Sequence, residues 1–151
     1  MEANRPQPDF VVESPDSSTR LVVEARNVVA PTPEWLERYL HNLFNLGAIP
    51  RSDYVLLALR DHLYLWLRPD PDVQRPPDFE GETAAILAPY LRRFPNRLET
   101  MTKNGFELLV FAWLTDLVNG TEPEPDAGKW LEGSGLPDSI RNGTITAPLA
   151  A

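Results

Sequence analysis

Residues 8–26 read PDFVVESPDSSTRLVVEAR. Two β-rich runs, DFVVES and TRLVVEAR, flank PDSS, a set of residues that favours a turn. The pattern predicts strands at about 9–14 and 20–26, joined as a hairpin. The next segment narrows the fold further. In APTPEWLERYLHNLFNLG, Thr32 can cap a helix, Pro33 suits its first position and Gly47 suits its stop. Leu36, Tyr39, Leu40 and Leu43 recur at helical spacing, so a helix is expected over about 33–46. DYVLLALRD and HLYLWLR then read as two more strands, joined tightly at Arg60, Asp61 and His62. A helix between the second and third strands should make those two parallel, with a right-handed connection. The expected fold class is α/β: a small mixed sheet, two hairpins joined by a crossover helix, with C-terminal helices packed on it.

A chain of 151 residues can build one domain with a real core. Residues 8–68 hold the strands and crossover helix. Residues 69–81, PDPDVQRPPDFEG, read as a Pro-rich connection. Residues 82–120 read as a helical part, with Pro89 splitting ETAAILAPYLRRF. Within it, GFELLVFAWLTDLVNG predicts a helix over about 105–118 that is apolar nearly all round. Phe106, Leu109, Phe111, Trp113 and Leu117 leave it no polar face, so it should pack against the sheet or against a second chain. Residues 121–151 read as a loop and tail, with a short helix near Lys129–Leu131 and a strand at Thr144–Ala147.

The net charge is −8, and only two lysines are present. A chain that grips nucleic acid alone usually shows a basic face. Here the cations are scattered, apart from Arg92, Arg93, Arg97 and Lys103. Nucleic acid is therefore expected to bind weakly, and a protein partner or homo-oligomer is expected. There is no cysteine, which excludes disulfide and thiolate chemistry. MEANRPQPD has no apolar signal region and no apolar run reaches membrane-spanning length, so a cytoplasmic protein without membrane contact is expected. His41 and His62 have no zinc-like spacing, and no phosphate-binding glycine loop or nucleophile elbow is present.

The hairpin carries the most specific chemistry. With the turn centred between Asp16 and Ser17, Glu13 faces Arg20, Val11 faces Val22, and Asp9 faces Glu24. Directly opposed side chains share a face, with Cβ atoms roughly 4.5–5.5 Å apart. Arg26, two residues on, points the same way. Asp16 lies in the turn, far from Glu24. A one-residue slip would destroy this pairing. Opposed carboxylates repel, and a hard cation such as Mg²⁺ removes the repulsion. The same residues also suit a solvated strand end in which Arg26 neutralises the pair.

PDF…LVVEAR, followed by a helix and YVLLAL, resembles the PD-(D/E)XK, or restriction-endonuclease-like, nuclease superfamily. The resemblance covers residues 8–68. It implies that Asp9 and Glu24 bind Mg²⁺, that the backbone carbonyl of Ala25 is a further metal contact, and that Arg26 takes the place of the motif lysine. Two departures stand out. The helix and strand that usually precede Pro-Asp are expected to be absent, moved or supplied by a partner, because seven residues precede Pro8. Arginine, with a pKa above about 12, cannot accept a proton near neutrality, although it can hold a phosphate. The Gln-x-x-x-Tyr helix of one nuclease branch is also missing. The resemblance implies an Mg²⁺-dependent DNA phosphodiester hydrolase with catalytic residues Asp9, Glu24 and Arg26. The alternative is a catalytically inactive nuclease-fold subunit that serves assembly or nucleic-acid binding.

Overall fold

The computed structural model describes residues 8–26, 31–45, 50–93 and 97–147. Gly47 and the end of the expected 33–46 helix beyond Asn45 lie outside the described residues. The strands are β1 (Phe10–Glu13), β2 (Thr19–Ala25), β3 (Tyr54–Ala58), β4 (His62–Leu67), β5 (Phe79–Glu82) and β6 (Thr144–Thr146). They form one six-stranded sheet in the order β5-β4-β3-β2-β1-β6. The crossover helix α1 (Pro33–Asn45) joins β2 to β3, which pair in parallel as expected. The other pairs are antiparallel.

The hairpin register follows from its turn. Phe10 faces Val23, Val11 faces Val22 and Val12 faces Leu21. The expected Glu13–Arg20 pair does not form, and Glu13 faces Thr19 across a bulge. The cause is local. Ser17 N–H donates to the Ser14 carbonyl at 2.9 Å, which centres the turn on Pro15 and Asp16. Ser17 then takes a left-handed backbone with φ 70°, and that extra residue displaces the pairing. The bulge lies at the turn, so the register near Asp9 is kept.

Both faces of the sheet are covered. β2, β3 and β4 are almost continuously apolar, as strands buried on two sides must be. Val22, Val55, Leu57, Leu59, Tyr64 and Trp66 pack against Leu36, Leu40 and Leu43 of α1. The alternate residues, including Leu21, Val23, Leu56 and Leu65, form the larger core with the C-terminal helices. These are α2 (Thr83–Ile86), α3 (Ala88–Leu91), α4 (Lys103–Val118), α5 (Pro125–Gly128) and α6 (Leu136–Ile140), with a 3-10 turn at Lys129–Leu131.

Three expectations on segment boundaries are corrected. Residues 69–81 are not all connection, because Phe79–Glu82 pairs with β4 as an edge strand. Gly81 permits this pairing close to the C-terminal segment: a Cβ there would lie 3.0 Å from Trp130. The long helix starts at Lys103 rather than 105, because Thr102 Oγ1 accepts the Gly105 N–H at 3.0 Å and caps it. The last strand ends at Thr146 rather than Ala147, and it pairs with β1. The apolar helix does pack against the sheet: Phe106, Leu109, Val110, Trp113, Leu114 and Leu117 are buried. Leu108 and Phe111 remain 60% and 40% exposed on its outer side. No described helix is long and apolar enough to cross a membrane.

Candidate active site

The site is built where β2 ends and β1 begins. Asp9 immediately precedes β1, and its N–H donates to the Val23 carbonyl at 2.9 Å. Its Oδ2 accepts the Ala25 N–H at 2.7 Å. Asp9 therefore caps the end of β2 from the neighbouring chain segment. The motif pattern points only to the Ala25 carbonyl, and the structure gives the Ala25 N–H a role as well. Asp16 lies at the other end of the hairpin, bound by Ser18 N–H at 3.1 Å and by the Ser14 hydroxyl. Those bonds hold its pKa at about 2. Of the two Pro-Asp pairs, the first is the one beside Glu24.

Glu24 shares the α1 face of β2 with Val22, and its residue exposure is 0%. Glutamate is almost never fully buried without a partner. Arg26 Nη2 lies 3.1 Å from Glu24 Oε2. Yet neither Glu24 oxygen has a properly directed hydrogen bond among the described residues. Burial drives the Glu24 pKa up to about 7; Arg26 opposes the shift and the Asp9 charge adds to it. A buried carboxyl group with a pKa near neutrality and one arginine beside it can take a cation or a proton.

Tyr39 of α1 completes this side. Its ring stacks on Trp35, centroids 5.0 Å apart. Its hydroxyl is buried beside the Arg26 guanidinium, and burial raises the phenol well above its ordinary pKa. Tyr39 thus brackets Arg26 against Glu24.

The first turn of α4 enters from the opposite face. Glu107 sits beside the Asp9 carboxylate. Burial first, and the Asp9 charge second, raise its pKa. Lys103 Nζ lies 4.0 Å from Glu107 Oε1, and its charge also acts on Glu24. Arg60, just beyond β3, donates to the Leu98 carbonyl and lies 5.6 Å over the Phe106 ring. It ties the segment leading into α4 to this end of the sheet.

Asp9, Glu24, Ala25 and Arg26 are therefore brought together, and Lys103, Glu107 and Tyr39 join them. One signal for Lys103 was available: it is one of two lysines among 14 basic residues. Glu107 and Tyr39 gave no such signal, because a helical Glu and a stripe Tyr are common on ordinary helices. The carboxylates do not form a ready cage: among the described residues, no group of three or more His, Cys, Asp or Glu is placed to hold a metal ion. Mg²⁺ needs less than that, since it keeps several waters and commonly takes one or two carboxylates plus substrate phosphates. The buried Glu24 carboxylate beside Asp9, with Arg26 on one oxygen, fits such an ion only in that limited form.

The other sequence candidates lie elsewhere. His41 Nδ1 is 2.8 Å from the Pro71 carbonyl, and its Nε2 is 2.8 Å from Asn45 Nδ2. His62 stacks on Tyr64 and lies 3.5 Å from Asp61. Arg92 pairs with Glu124. No family model, curated protein or solved structure matches the chain.

Proposed function

We propose that the chain is a divalent-cation-dependent phosphodiesterase acting on DNA, resembling PD-(D/E)XK nucleases and carrying an altered cationic residue. The observation behind this reading is the Glu24 carboxylate, fully buried beside Asp9, with Arg26 3.1 Å from one oxygen as its ion-pair partner and no directed hydrogen bond to either oxygen among the described residues. Burial of that kind is costly unless a cation compensates it. Asp9 and Glu24 would hold Mg²⁺, with the Ala25 carbonyl as a candidate further contact. The bound ion would polarise the phosphate and lower the pKa of a water molecule.

The chain's own groups supply the rest. Arg26, held by Glu24 and Tyr39, is placed to hold a phosphate oxygen but not to take a proton. Lys103 of α4 adds a second positive charge on this side, and that charge acts on Glu24. Glu107 orients Lys103 and shares the negative field of Asp9.

A second reading is a nuclease-like subunit without hydrolysis, serving in assembly. The Arg26–Glu24 contact favours it, because it already neutralises the carboxylate. The exposed Leu108 and Phe111 favour it as well. Plasmid nicking with Mg²⁺ and Mn²⁺ at low salt separates the two readings. The enzyme reading expects metal-dependent nicking by the wild type, greater nicking by Arg26→Lys, and none by Glu24→Ala. Absence of nicking in all three would leave the assembly reading.

A further inference from the structure

The opposite end of the sheet holds a second polar feature, roughly 13 Å along β2 from Glu24. A cavity of about 680 Å³ opens between the start of β2, the start of β3, the end of β4 and the C-terminal segment. Arg20, Arg68, Asp53, Tyr54, Ser134 and Ser139 are among its lining residues. None of them belongs to the candidate active site.

The charges here run against those of the whole chain. Two guanidinium groups meet one carboxylate, in a chain of net charge −8. Arg20 Nη1 binds Asp53 Oδ2 at 2.7 Å, which occupies one part of its donor fork. Its Nε is buried and has no acceptor among the described residues. An unsatisfied buried N–H of a charged group is unfavourable unless something binds it. Arg68 is exposed and has no ion pair among the described residues.

The Arg68 backbone adds an independent observation. Its φ is 45°, in the left-handed region that favours glycine. Its N–H donates to the Asp53 carbonyl at 2.7 Å, which holds the turn in place. A long cationic side chain is thus carried on a strained backbone, at the rim of a polar cavity. Strain of this kind concentrates where a side chain has a task. Tyr54 lines the same cavity, and its hydroxyl is committed to the Ser134 carbonyl at 2.8 Å. That part of the wall is therefore fixed, whereas the guanidinium donors are not all used.

We propose that this cavity binds a small phosphomonoester, with Arg20 and Arg68 gripping the phosphate and the Ser139 hydroxyl assisting. Guanidinium forks match phosphate oxygens in pairs, and two arginines beside one aspartate leave a net positive charge for an anion. The volume accommodates an attached small organic group. The proposal is independent of the nuclease reading, since no active-site residue takes part.

The test is calorimetric titration of the metal-free full chain at constant ionic strength. The probes are inorganic phosphate, glycerol 3-phosphate and hexathymidylate. The variants are Arg68→Gly, which suits the left-handed backbone at that position, and Arg20→Lys, which keeps a cation for Asp53, with each variant's fold checked by circular dichroism. The wild type should bind glycerol 3-phosphate and inorganic phosphate. Each variant should weaken both on the order of tenfold or more. Glu24→Gln should bind them as the wild type does, which separates this cavity from the candidate active site. Wild-type affinity in either arginine variant, loss of binding in Glu24→Gln, binding of hexathymidylate alone, or no binding by the wild type would each overturn the proposal.

Discussion

The Asp9 carboxylate accepts the backbone N–H of Ala25 at 2.7 Å. This bond ties the residue before β1 to the last residue of β2. It fixes Asp9 beside Glu24 even though the turn of the same hairpin carries a bulge. Removing the acceptor should loosen the site without unfolding the sheet. Asp9→Ala is expected to cost about 1–3 kcal/mol, because a backbone donor loses a charged partner. Urea denaturation measures it, and an unchanged midpoint would show that water replaces the bond at no loss.

The buried glutamate makes stability depend on pH. The folded pKa of Glu24 is raised from 4.5 to about 7, chiefly by burial. A raised folded pKa gives stability that is full below 4.5 and is lost as pH rises through about 7. Glu24→Gln removes this titration. Its melting temperature should match the wild type near pH 4.5 and exceed it at pH 8. The difference should approach roughly 3 kcal/mol at most. A variant no more stable than the wild type at pH 8 would show that Arg26 already compensates the charge.

Tyr39→Phe should be neutral or slightly stabilising. The Tyr39 hydroxyl is buried without a directed hydrogen bond among the described residues. Removing an unsatisfied polar atom while keeping the ring on Trp35 loses little. A drop of more than about 1 kcal/mol in denaturant unfolding would mean that the hydroxyl holds Arg26 by a real bond.

The contribution of the Lys103 charge is open to a direct comparison. Lys103→Met should lower metal-dependent nicking on the order of a hundredfold, through loss of transition-state charge stabilisation. Lys129→Met alters the chain's other lysine, which is exposed and outside the site, and should leave nicking unchanged. Equal nicking by both variants would remove Lys103 from the mechanism.

The periodic features were legible in the sequence. The β-rich runs around PDSS, the stripe Leu36-Leu40-Leu43 and the later apolar runs led to the hairpin, α1 and the parallel β2–β3 pair. The Asp9–Glu24 pairing was legible because Val11 and Val22 fix the face. The Glu13–Thr19 pairing was not, since it depends on Ser17 taking a left-handed backbone that serine rarely favours. β5 was hidden because Phe79-Glu80-Gly81-Glu82 has a single large apolar residue and comes after a proline pair. An edge strand held by backbone bonds needs no apolar pattern. Lys103 and Glu107 reach the site through the packing of α4 on the sheet. That contact joins segments more than 90 residues apart, which local patterns do not record.

The proposed function rests above all on Asp9 and Glu24 together holding a divalent cation. Electron paramagnetic resonance of free Mn²⁺, titrated with protein at pH 8, measures this without requiring turnover. The wild type is predicted to remove Mn²⁺ signal at one site per chain, with Mg²⁺ competing for it, and Asp9→Asn and Glu24→Gln are each predicted to abolish the binding. A free-Mn²⁺ signal that the wild type leaves undiminished, or binding that survives in both variants, would contradict it.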